Sequence, residues 1–448
     1  MTKTSAGLLF AGLVNSLLTC LSRVMWVSAV WVSVVSAGGV IEVGSGYYPQ
    51  NSDFDSDSLT LETRLRYEQN WQLTDNSTLL FKPRLGLDNG NLYGGTATLH
   101  ENNKSRSTFA IEELTFTQYV NNFEFSVGKQ IFSWGMGDMY NSSDHVNSVD
   151  TLDPLDNLKL GQWGTSLLYL GNSSNINLVY IPRRSPSRLP QQNNRWFRSV
   201  QAIQTAAAAE LGFTPEINLE RQIDRHSASS GVQITSSQWL PNWDVELSYF
   251  HSQDATGVYL PEVNGTRLDL IRMFPSFDEA SLGLSTAVGE YTFHSITSYR
   301  NTKNNQQDDD YFTFIVGARR TFYTSDFDAP ELIQNIEDVT LGVEYVKEKI
   351  SHHRDPDSNF VNTGFGRTLT NSILMSLELK FSEDTLLAFG VIENFDKQDR
   401  YFSMEFSHQF NDDFKISIGL DLLNGTSDSL FGEWTKNDRL YLIASHHF

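Results

Sequence analysis

Arginines are concentrated in one stretch of the chain, between Ile181 and Val200. This stretch has no acidic residue, and its five arginines are Arg183, Arg184, Arg188, Arg195 and Arg198. A guanidinium group can bind a carboxylate, sulfate or phosphate through two parallel hydrogen bonds. The segment therefore predicts contact with anions. Two places for that contact stay open, a solute path inside a channel and the phosphate groups of lipopolysaccharide at a membrane rim.

A second basic group alternates with apolar residues in two neighbouring predicted strands. Arg64 and Arg66 lie in the first strand, and Lys82 and Arg84 lie in the second. Because alternate residues of a strand point to the same face, these four side chains share one face of the sheet. Arg64, Arg66 and Arg84 are therefore our second set of candidate anion contacts.

A short motif precedes the arginine segment, where a strand containing G-K-Q leads into the loop from Ser133 to Gly161. Its residues are Gly128, Lys129, Gln130, Trp134, Gly135, Asp153, Pro154 and Asp156. This pattern resembles a family of outer-membrane barrels related to alginate- and capsule-export porins, although Asp153 stands where that family usually has asparagine. The resemblance implies a transport barrel with an envelope export partner, and it does not name a cargo. Two simpler roles stay open, Trp134 in an interfacial aromatic girdle and Asp153-Pro154 at the start of a turn.

Motifs for catalysis or metal binding do not occur in the sequence. There is no G-x-S-x-G, H-E-x-x-H or glycine-rich phosphate loop, and the only cysteine is Cys20. The D-x-D-x-D of Asp53 to Asp57 lacks the glycine and the final acid of a calcium loop. We therefore expect no enzyme activity, no cofactor and no metal site. A hydrolase whose catalytic residues converge only in space stays open as an alternative.

The elements that must position these residues are strands, because apolar and polar residues alternate with period two along most of the chain. We predict strands at 40–48, 58–68, 77–88, 107–119, 123–132, 162–171, 174–182, 228–238, 243–253, 279–288, 290–301, 310–322, 337–349, 369–381, 384–394, 399–410, 414–422 and 438–448. The charged residues expected to face the interior are Glu62, Arg64, Arg66, Lys82, Arg84, Glu124, Glu246, Arg319, Glu344, Glu378, Lys380, Glu405 and Lys415. One helix is predicted, over 199–211, in the long segment 183–227.

The lengths of the connections distinguish a membrane barrel from a soluble sandwich. Most even-numbered strands are followed by very short turns, such as Asn121-Asn122, and most odd-numbered strands by long polar segments. This asymmetry is typical of outer-membrane barrels, whose periplasmic turns are short and whose external loops are long. We therefore predict an all-β transmembrane, antiparallel, up-and-down barrel of about 18 strands, with 16 as the alternative. Segment 323–336 is an exception, because it is long where a short turn is expected.

Both ends of the chain fit this interpretation. Residues 1–37 have the features of a signal peptide, with an apolar run before Val35-Ser36-Ala37, so that 38–448 would form the barrel. The last strand places Leu440, Leu442 and Ala444 on the same side as Phe448. This resembles the carboxy-terminal signature by which barrels close and are recognised by the barrel-assembly machinery, except at His446. We therefore assign barrel closure to Phe448.

The charge of the chain limits its partners. A formal net charge of −21 argues against nucleic acid, and 12% aromatic residues argue against a disordered acidic chain. We expect contacts with outer-membrane lipid and lipopolysaccharide. The sequence thus predicts an outer-membrane channel that passes or exports an anionic solute or polymer, narrowed by loops 133–161 and 183–227. The alternative is a barrel without transport that binds lipopolysaccharide or an envelope partner, and the position of the predicted helix would distinguish the two.

Overall fold

The computed structural model describes residues 33–90, 92–94, 104–156, 158–219, 222–223, 227–303, 307–323 and 335–448. Eighteen strands form one closed sheet. They are numbered in chain order: β1 (Ser33–Tyr47), β2 (Leu59–Thr74), β3 (Ser77–Asp88), β4 (Phe109–Val120), β5 (Phe123–Gln130), β6 (Gln162–Leu170), β7 (Asn175–Ile181), β8 (Ser229–Leu240), β9 (Trp243–Gln253), β10 (Ser276–Val288), β11 (Tyr291–Thr302), β12 (Asp310–Tyr323), β13 (Asp338–His352), β14 (Asn371–Ser382), β15 (Thr385–Asn394), β16 (Asp399–Asn411), β17 (Phe414–Asn424) and β18 (Arg439–His447). The prediction of 18 strands is therefore confirmed.

The barrel closes where its first strand pairs with its last. β1 and β18 are antiparallel, with Val40 opposite His447 and Tyr47 opposite Leu440. Beyond β18, the backbone N–H of Phe448 donates to the Gly39 carbonyl at 3.0 Å, and Gly39 donates back at 2.8 Å. The ring of Phe448 lies over Gly39, where a Cβ would come within 2.4 Å of it. The last residue therefore extends the seam by one more backbone pair.

The outer face of the barrel is apolar. Alternate residues of most strands expose large hydrophobic side chains, as Leu61 on β2, Leu247 on β9 and Val343 on β13 do. Exposed aromatic residues, including Tyr119 and Trp243, lie beside the short turns. A closed sheet with an apolar outer band and aromatic girdles satisfies its backbone hydrogen bonds in lipid without any edge strand. The chain is therefore a β-barrel of the bacterial outer membrane.

The two ends of the barrel differ in the connections they carry. Short turns follow most even-numbered strands, and two of them contain asparagines in the left-handed region, Asn121 (φ 52°) and Asn242 (φ 64°). The longest loops follow β5, β7 and β9. The exceptional connection follows β12, and its residues 324–334 lie outside the described part of the chain. In that described part, no helix is long and apolar enough to cross a bilayer.

The long loops build a second, smaller sheet at the external end. Its hairpin consists of Val258–Asn264 and Arg267–Met273, and Glu216–Asn218, Gln222–Ile223 and Val361–Asn362 pair with it. We call these five strands the loop sheet. Helix α1 (Gln201–Leu211) has no buried residue and ends at Gly212, whose φ is 75°. Glu216, five residues after the helix, pairs with Arg267 at the tip of the hairpin, so that the helix leads directly into the loop sheet.

The first strand begins before the predicted signal-peptide boundary. Residues 1–32 lie outside the described part of the chain, and β1 starts at Ser33. Ala37 is opposite Gln69 and Gly38 is opposite Glu68 on β2. Cleavage after Ala37 would therefore remove the first five residues of β1, all of which precede its pairing with β18. The boundary at 37 stays a prediction.

Candidate functional site

The loop between β5 and β6, residues 131–161, crosses the inside of the barrel, and we call it the crossing loop. The Gly135 N–H donates to Glu246 on β9 at 3.2 Å. Ser142 accepts a hydrogen bond from Ser298 on β11 at 3.1 Å. Because these partners lie on inward positions of strands far from β5 around the barrel, the loop lies in the lumen rather than outside the wall.

Glu344 on β13 is the main attachment of the crossing loop to the far wall. Its carboxylate accepts hydrogen bonds from the backbone N–H groups of Asp138, Met139 and Tyr140 at 2.8, 3.0 and 2.9 Å. It also contacts His294 Nε2 at 2.7 Å and is completely buried. A carboxylate that accepts several N–H groups in a buried site holds the donor segment strongly. Both Glu344 and Glu246 were predicted from the alternation to face the interior.

The return of the crossing loop is held on the opposite side by Arg106, a residue that the sequence analysis did not single out. Arg106 is completely buried and lies 3.0 Å from Asp150, 3.1 Å from Asp156 and 3.4 Å from Glu62. Arg64 also contacts Asp156, at 2.8 Å. Arg106 precedes β4 in a polar stretch without strand alternation, so that no periodic pattern indicates its position.

The turn of the motif is attached to the last strand. Asp153 contacts Arg439 on β18 at 2.7 Å, and the Leu155 N–H donates to Asp153 Oδ1 at 3.1 Å, so that Asp153-Pro154 does open a turn. Burial alone would raise the pKa of Asp156, but the guanidinium groups of Arg64, Arg106 and Arg439 outweigh it and lower this pKa below its ordinary value. Asp156 is therefore held in its ionised form.

The other motif residues either allow a backbone conformation that favours glycine or donate side-chain hydrogen bonds to backbone carbonyls. Gly128 has a φ of 138°, and a Cβ there would lie 2.0 Å from the Leu114 carbonyl oxygen, so that only glycine fits. Gly135 has a φ of 94°. Lys129 Nζ donates to the Ile111 carbonyl at 2.7 Å, and Gln130 Nε2 donates to the Gly164 carbonyl at 3.2 Å.

Trp134 does not lie in the interfacial aromatic girdle that the sequence left open for it. It is 2% exposed and packs edge-on against Phe250, with ring centroids 5.8 Å apart. Its cluster fills the space between the crossing loop and the wall, with Phe132, Val146, Val179, Ile181, Phe250 and Phe277. Trp134 is therefore neither in the lipid-facing girdle nor exposed to a pore. Alternation could not predict this, because the residue follows the end of β5.

Two arginines of the arginine segment are buried beside the crossing loop. Arg184 donates to Ser252 Oγ and to the carbonyl oxygens of Gln253, His145 and Asn147, at 2.5 to 3.0 Å. Burial lowers the pKa of Arg184 to about 10. Arg188 contacts Asp150 at 2.6 Å and is 1% exposed. These two guanidinium groups hold the segment against the crossing loop.

Further along the segment, Arg195 and Arg198 bind other loops. The Arg195 guanidinium lies 3.5 Å from the centre of the Tyr48 ring and donates to the Asp57 carbonyl at 2.7 Å. Arg198 contacts Glu433 at 3.0 Å and the Gly364 carbonyl at 3.0 Å. Arg183, in contrast, is exposed.

The second basic group is paired with acids along the wall. Arg66 lies 3.2 Å from Glu42, and Arg84 lies 2.9 Å from Glu112. Arg84 also donates to the Tyr93 hydroxyl at 3.0 Å. The prediction that this group shares one face is consistent with these contacts. Of the eight candidate anion contacts, seven therefore bind acceptors within the protein, and Arg183 is the exposed one in the described chain.

Comparisons with known proteins give a fold and no family. No family model matches the chain, and no curated protein matches it. The resemblance to alginate- and capsule-export porins is therefore not confirmed. Among solved structures, a mutant porin of Rh. blastica has a TM-score of 0.40 at 14% identity, covering 92% of this chain and 99% of that chain. A loop-deletion mutant of OmpT, an outer membrane protein of Vibrio cholerae, has a TM-score of 0.42 at 10% identity, with 93% and 99% covered.

A third solved structure superposes better. OccK8 (OprE) of Pseudomonas aeruginosa has a TM-score of 0.54 at 9% identity, covering 92% of this chain and 97% of that chain. At this identity the likeness concerns the fold alone. Together with the closed sheet of eighteen strands, it shows that this chain has a porin-like outer-membrane β-barrel fold.

Proposed function

We propose that this protein is a passive channel through which small hydrophilic solutes diffuse across the outer membrane. The observation that carries the proposal is the crossing loop, whose residues 135 and 138–140 bind Glu246 and Glu344 inside the barrel. A loop fixed across the lumen of an 18-stranded barrel narrows the path of solutes through it and selects them by size and charge.

The narrowing element in this proposal differs from part of the sequence-based expectation. Loop 133–161 was expected to narrow the lumen together with the helix of segment 183–227. The crossing loop supports the first part. Helix α1 has no buried residue and leads into the loop sheet, so that the second part of the expectation has no support. We assign the helix to the external rim, which is the place expected for a barrel that binds a partner. This element therefore favours the alternative without transport, and the channel rests on the crossing loop.

The arginines of the segment predicted an anionic cargo. In a channel, this would mean selectivity for anionic solutes. Arg184, Arg188 and Arg195 are buried and donate to oxygen atoms of the protein, so that they hold loops together. Arg183 is exposed and keeps its donors for an external anion. The proposal therefore assigns any anion contact of this segment at the external surface to Arg183. A barrel without transport that binds lipopolysaccharide through Arg183 is the rival function.

The test is single-channel conductance in planar bilayers, with ion selectivity measured from the reversal potential in a salt gradient. The protein purified from outer membranes should give steady conductance steps. The Arg183→Ser variant should have the same conductance as the wild type. Its ion selectivity should change only if solutes pass Arg183. The Lys303→Ser variant, at another exposed loop residue, controls for the loss of one positive surface charge. A folded barrel that gives no conductance would contradict the channel and favour the rival.

A further inference from the structure

We infer that a cavity between the crossing loop and the barrel wall binds small zwitterionic solutes, which carry both an ammonium and a carboxylate group. The inference rests on the proposed function, because it names the solute class of the same lumen. The cavity is about 330 Å³ in volume. This is the lower end of the range for sites of small molecules.

The cavity is open because β1 has glycines at inward positions. Val43 and Tyr47 are exposed on the outer face, so that Gly44 and Gly46 point inward beside Tyr441 and Ile443 on β18. A Cβ at Gly44 would meet the Ile443 side chain only at 3.8 Å, in ordinary contact. A larger side chain at Gly44 would therefore extend into the cavity without a clash at its base.

Both signs of charge line the cavity, with an excess of acids. The carboxylates are those of Glu42, Asp55, Glu62, Asp88, Asp153, Asp156 and Glu405, and the guanidinium groups are those of Arg64, Arg195 and Arg439. Arg64 lies against Glu62 and Asp156, and Arg439 lies against Asp153. These two arginines therefore already have carboxylate partners.

Glu405 and Asp88 are the acids whose partners carry no positive charge. Glu405 accepts hydrogen bonds from the Tyr441 hydroxyl at 2.9 Å and from Ser417 Oγ at 3.1 Å. Asp88 accepts from the backbone N–H groups of Leu92 and Tyr93 at 3.0 and 3.3 Å. Within the described chain, neither carboxylate has a lysine, arginine or histidine within 4 Å. An ammonium group would supply the missing charge through charge-assisted hydrogen bonds.

Arg195 supplies the opposite end of the site. Its side chain is 4% exposed and lines the cavity, and its Nε has no hydrogen-bond acceptor in the described chain. The nearest carboxylate oxygen, Asp55 Oδ2, is 3.7 Å away, too far for a hydrogen bond. The Arg195 guanidinium donates to Asn437 Oδ1 and to the Asp57 carbonyl, and within the described chain it has no hydrogen bond to a carboxylate. A ligand carboxylate on its cavity side would supply a charged acceptor. A dicarboxylate would meet the excess of acids, and a diamine would leave this guanidinium without a carboxylate.

The experiment uses three four-carbon probes on the folded protein in detergent: 4-aminobutanoate, 1,4-diaminobutane and succinate. Isothermal titration calorimetry measures their affinities for the wild type and for Glu405→Gln, Gly44→Leu and Glu124→Gln. Glu124 is an inward carboxylate at the other end of the barrel and does not line the cavity. We expect the zwitterion to bind most tightly. Its Kd should rise by roughly tenfold in E405Q and further in G44L, and stay unchanged in E124Q.

The inference is overturned if 4-aminobutanoate binds no more tightly than both other probes. It is also overturned if E405Q and G44L are folded and bind it as the wild type does. Conductance of the same preparations separates the two proposals. A protein that conducts without binding the zwitterion would overturn this inference alone, and one that binds it without conducting would overturn the channel alone.

Discussion

The carboxylate of Glu344 on β13 accepts a hydrogen bond from the backbone N–H of Met139 in the crossing loop, at 3.0 Å and across 205 residues of sequence. The N–H groups on both sides of Met139 donate to the same carboxylate. One wall side chain therefore fixes three consecutive backbone donors of the loop. Elsewhere the loop is held by the pairs of Asp153 with Arg439 and Asp156 with Arg64, on strands at the other side of the barrel.

Removal of the Glu344 carboxylate should release the middle of the crossing loop. The Glu344→Ala variant leaves three partly buried N–H groups without their acceptor, and a hydrogen bond to a charged group contributes about 1.5–3 kcal/mol. We expect a larger mean conductance with more frequent fluctuations, measured in planar bilayers. Glu378→Ala is the control, because Glu378 is a 39% exposed wall carboxylate whose partner Arg319 is 3.5 Å away. Equal current noise in the two variants would show that Glu344 does not restrain the loop.

Replacement of Arg106 should destabilise the protein more than replacement of an exposed arginine. Arg106 is completely buried among the carboxylates of Asp150, Asp156 and Glu62, and loss of one partner from a buried ion pair costs about 3–5 kcal/mol. Arg106→Met should lower the free energy of unfolding by about that amount, measured by urea titration with tryptophan fluorescence in lipid vesicles.

The matched control for Arg106 is Arg319→Met. Arg319 is 43% exposed and pairs with Glu378 at 3.5 Å, and such pairs contribute about 0–1 kcal/mol. A loss in R106M no larger than that in R319M would mean that the buried network does not stabilise the fold.

Strand periodicity predicts the wall of this barrel and not the loops that lie inside it. Leu61, Glu62 and Arg64 lie on the faces that alternation gives them, because a two-residue repeat fixes direction once one face meets lipid. The contacts inside the barrel depend on the paths of the loops, whose sequences have no periodic pattern. Arg106 and Asp150 are 44 residues apart in sequence and meet only because the crossing loop returns to that wall. Composition distinguishes the five-arginine segment from the rest of the chain, but it cannot show that Arg184 and Arg188 bind neighbouring loops.

The contribution of Asp156 to stability should disappear in acid. Burial would raise the pKa of Asp156, but Arg64, Arg106 and Arg439 outweigh it and lower the pKa. Because the folded pKa lies below the unfolded value of about 3.9, the ionised group stabilises the fold above that pH. This stabilisation is lost as the pH falls through the folded pKa.

Unfolding of the wild type and Asp156→Asn as a function of pH measures this effect. The difference in free energy of unfolding should be constant from about pH 8 to 5 and should shrink below about pH 3.9. Asp75→Asn, in an exposed turn, should follow the wild type throughout. A D156N difference that persists unchanged at the lowest pH would contradict the assignment of this charge.

The external end of the closing seam should depend on one pair of tryptophans. Trp196 and Trp434 are each 2% exposed and meet edge-on, with ring centroids 5.3 Å apart. Trp434 belongs to the loop before β18, and Arg195, next to Trp196, lies over the ring of Tyr48, which follows β1. The arginine segment therefore contacts the loops on both sides of the seam.

Removal of the Trp196 ring should loosen this end of the seam. A buried tryptophan replaced by alanine costs about 3–5 kcal/mol, so that Trp196→Ala should be less stable by that amount. We expect hydrogen exchange, measured by mass spectrometry, to become faster than in the wild type at the backbone amides of β1 and β18. The amides of β9 and β10 should exchange at their wild-type rates. Trp239→Ala removes a 43% exposed ring on the outer face and should not act on the seam. Uniformly faster exchange in all four strands of W196A would show a general loss of stability, because only a local contact confines the change to the strands it joins.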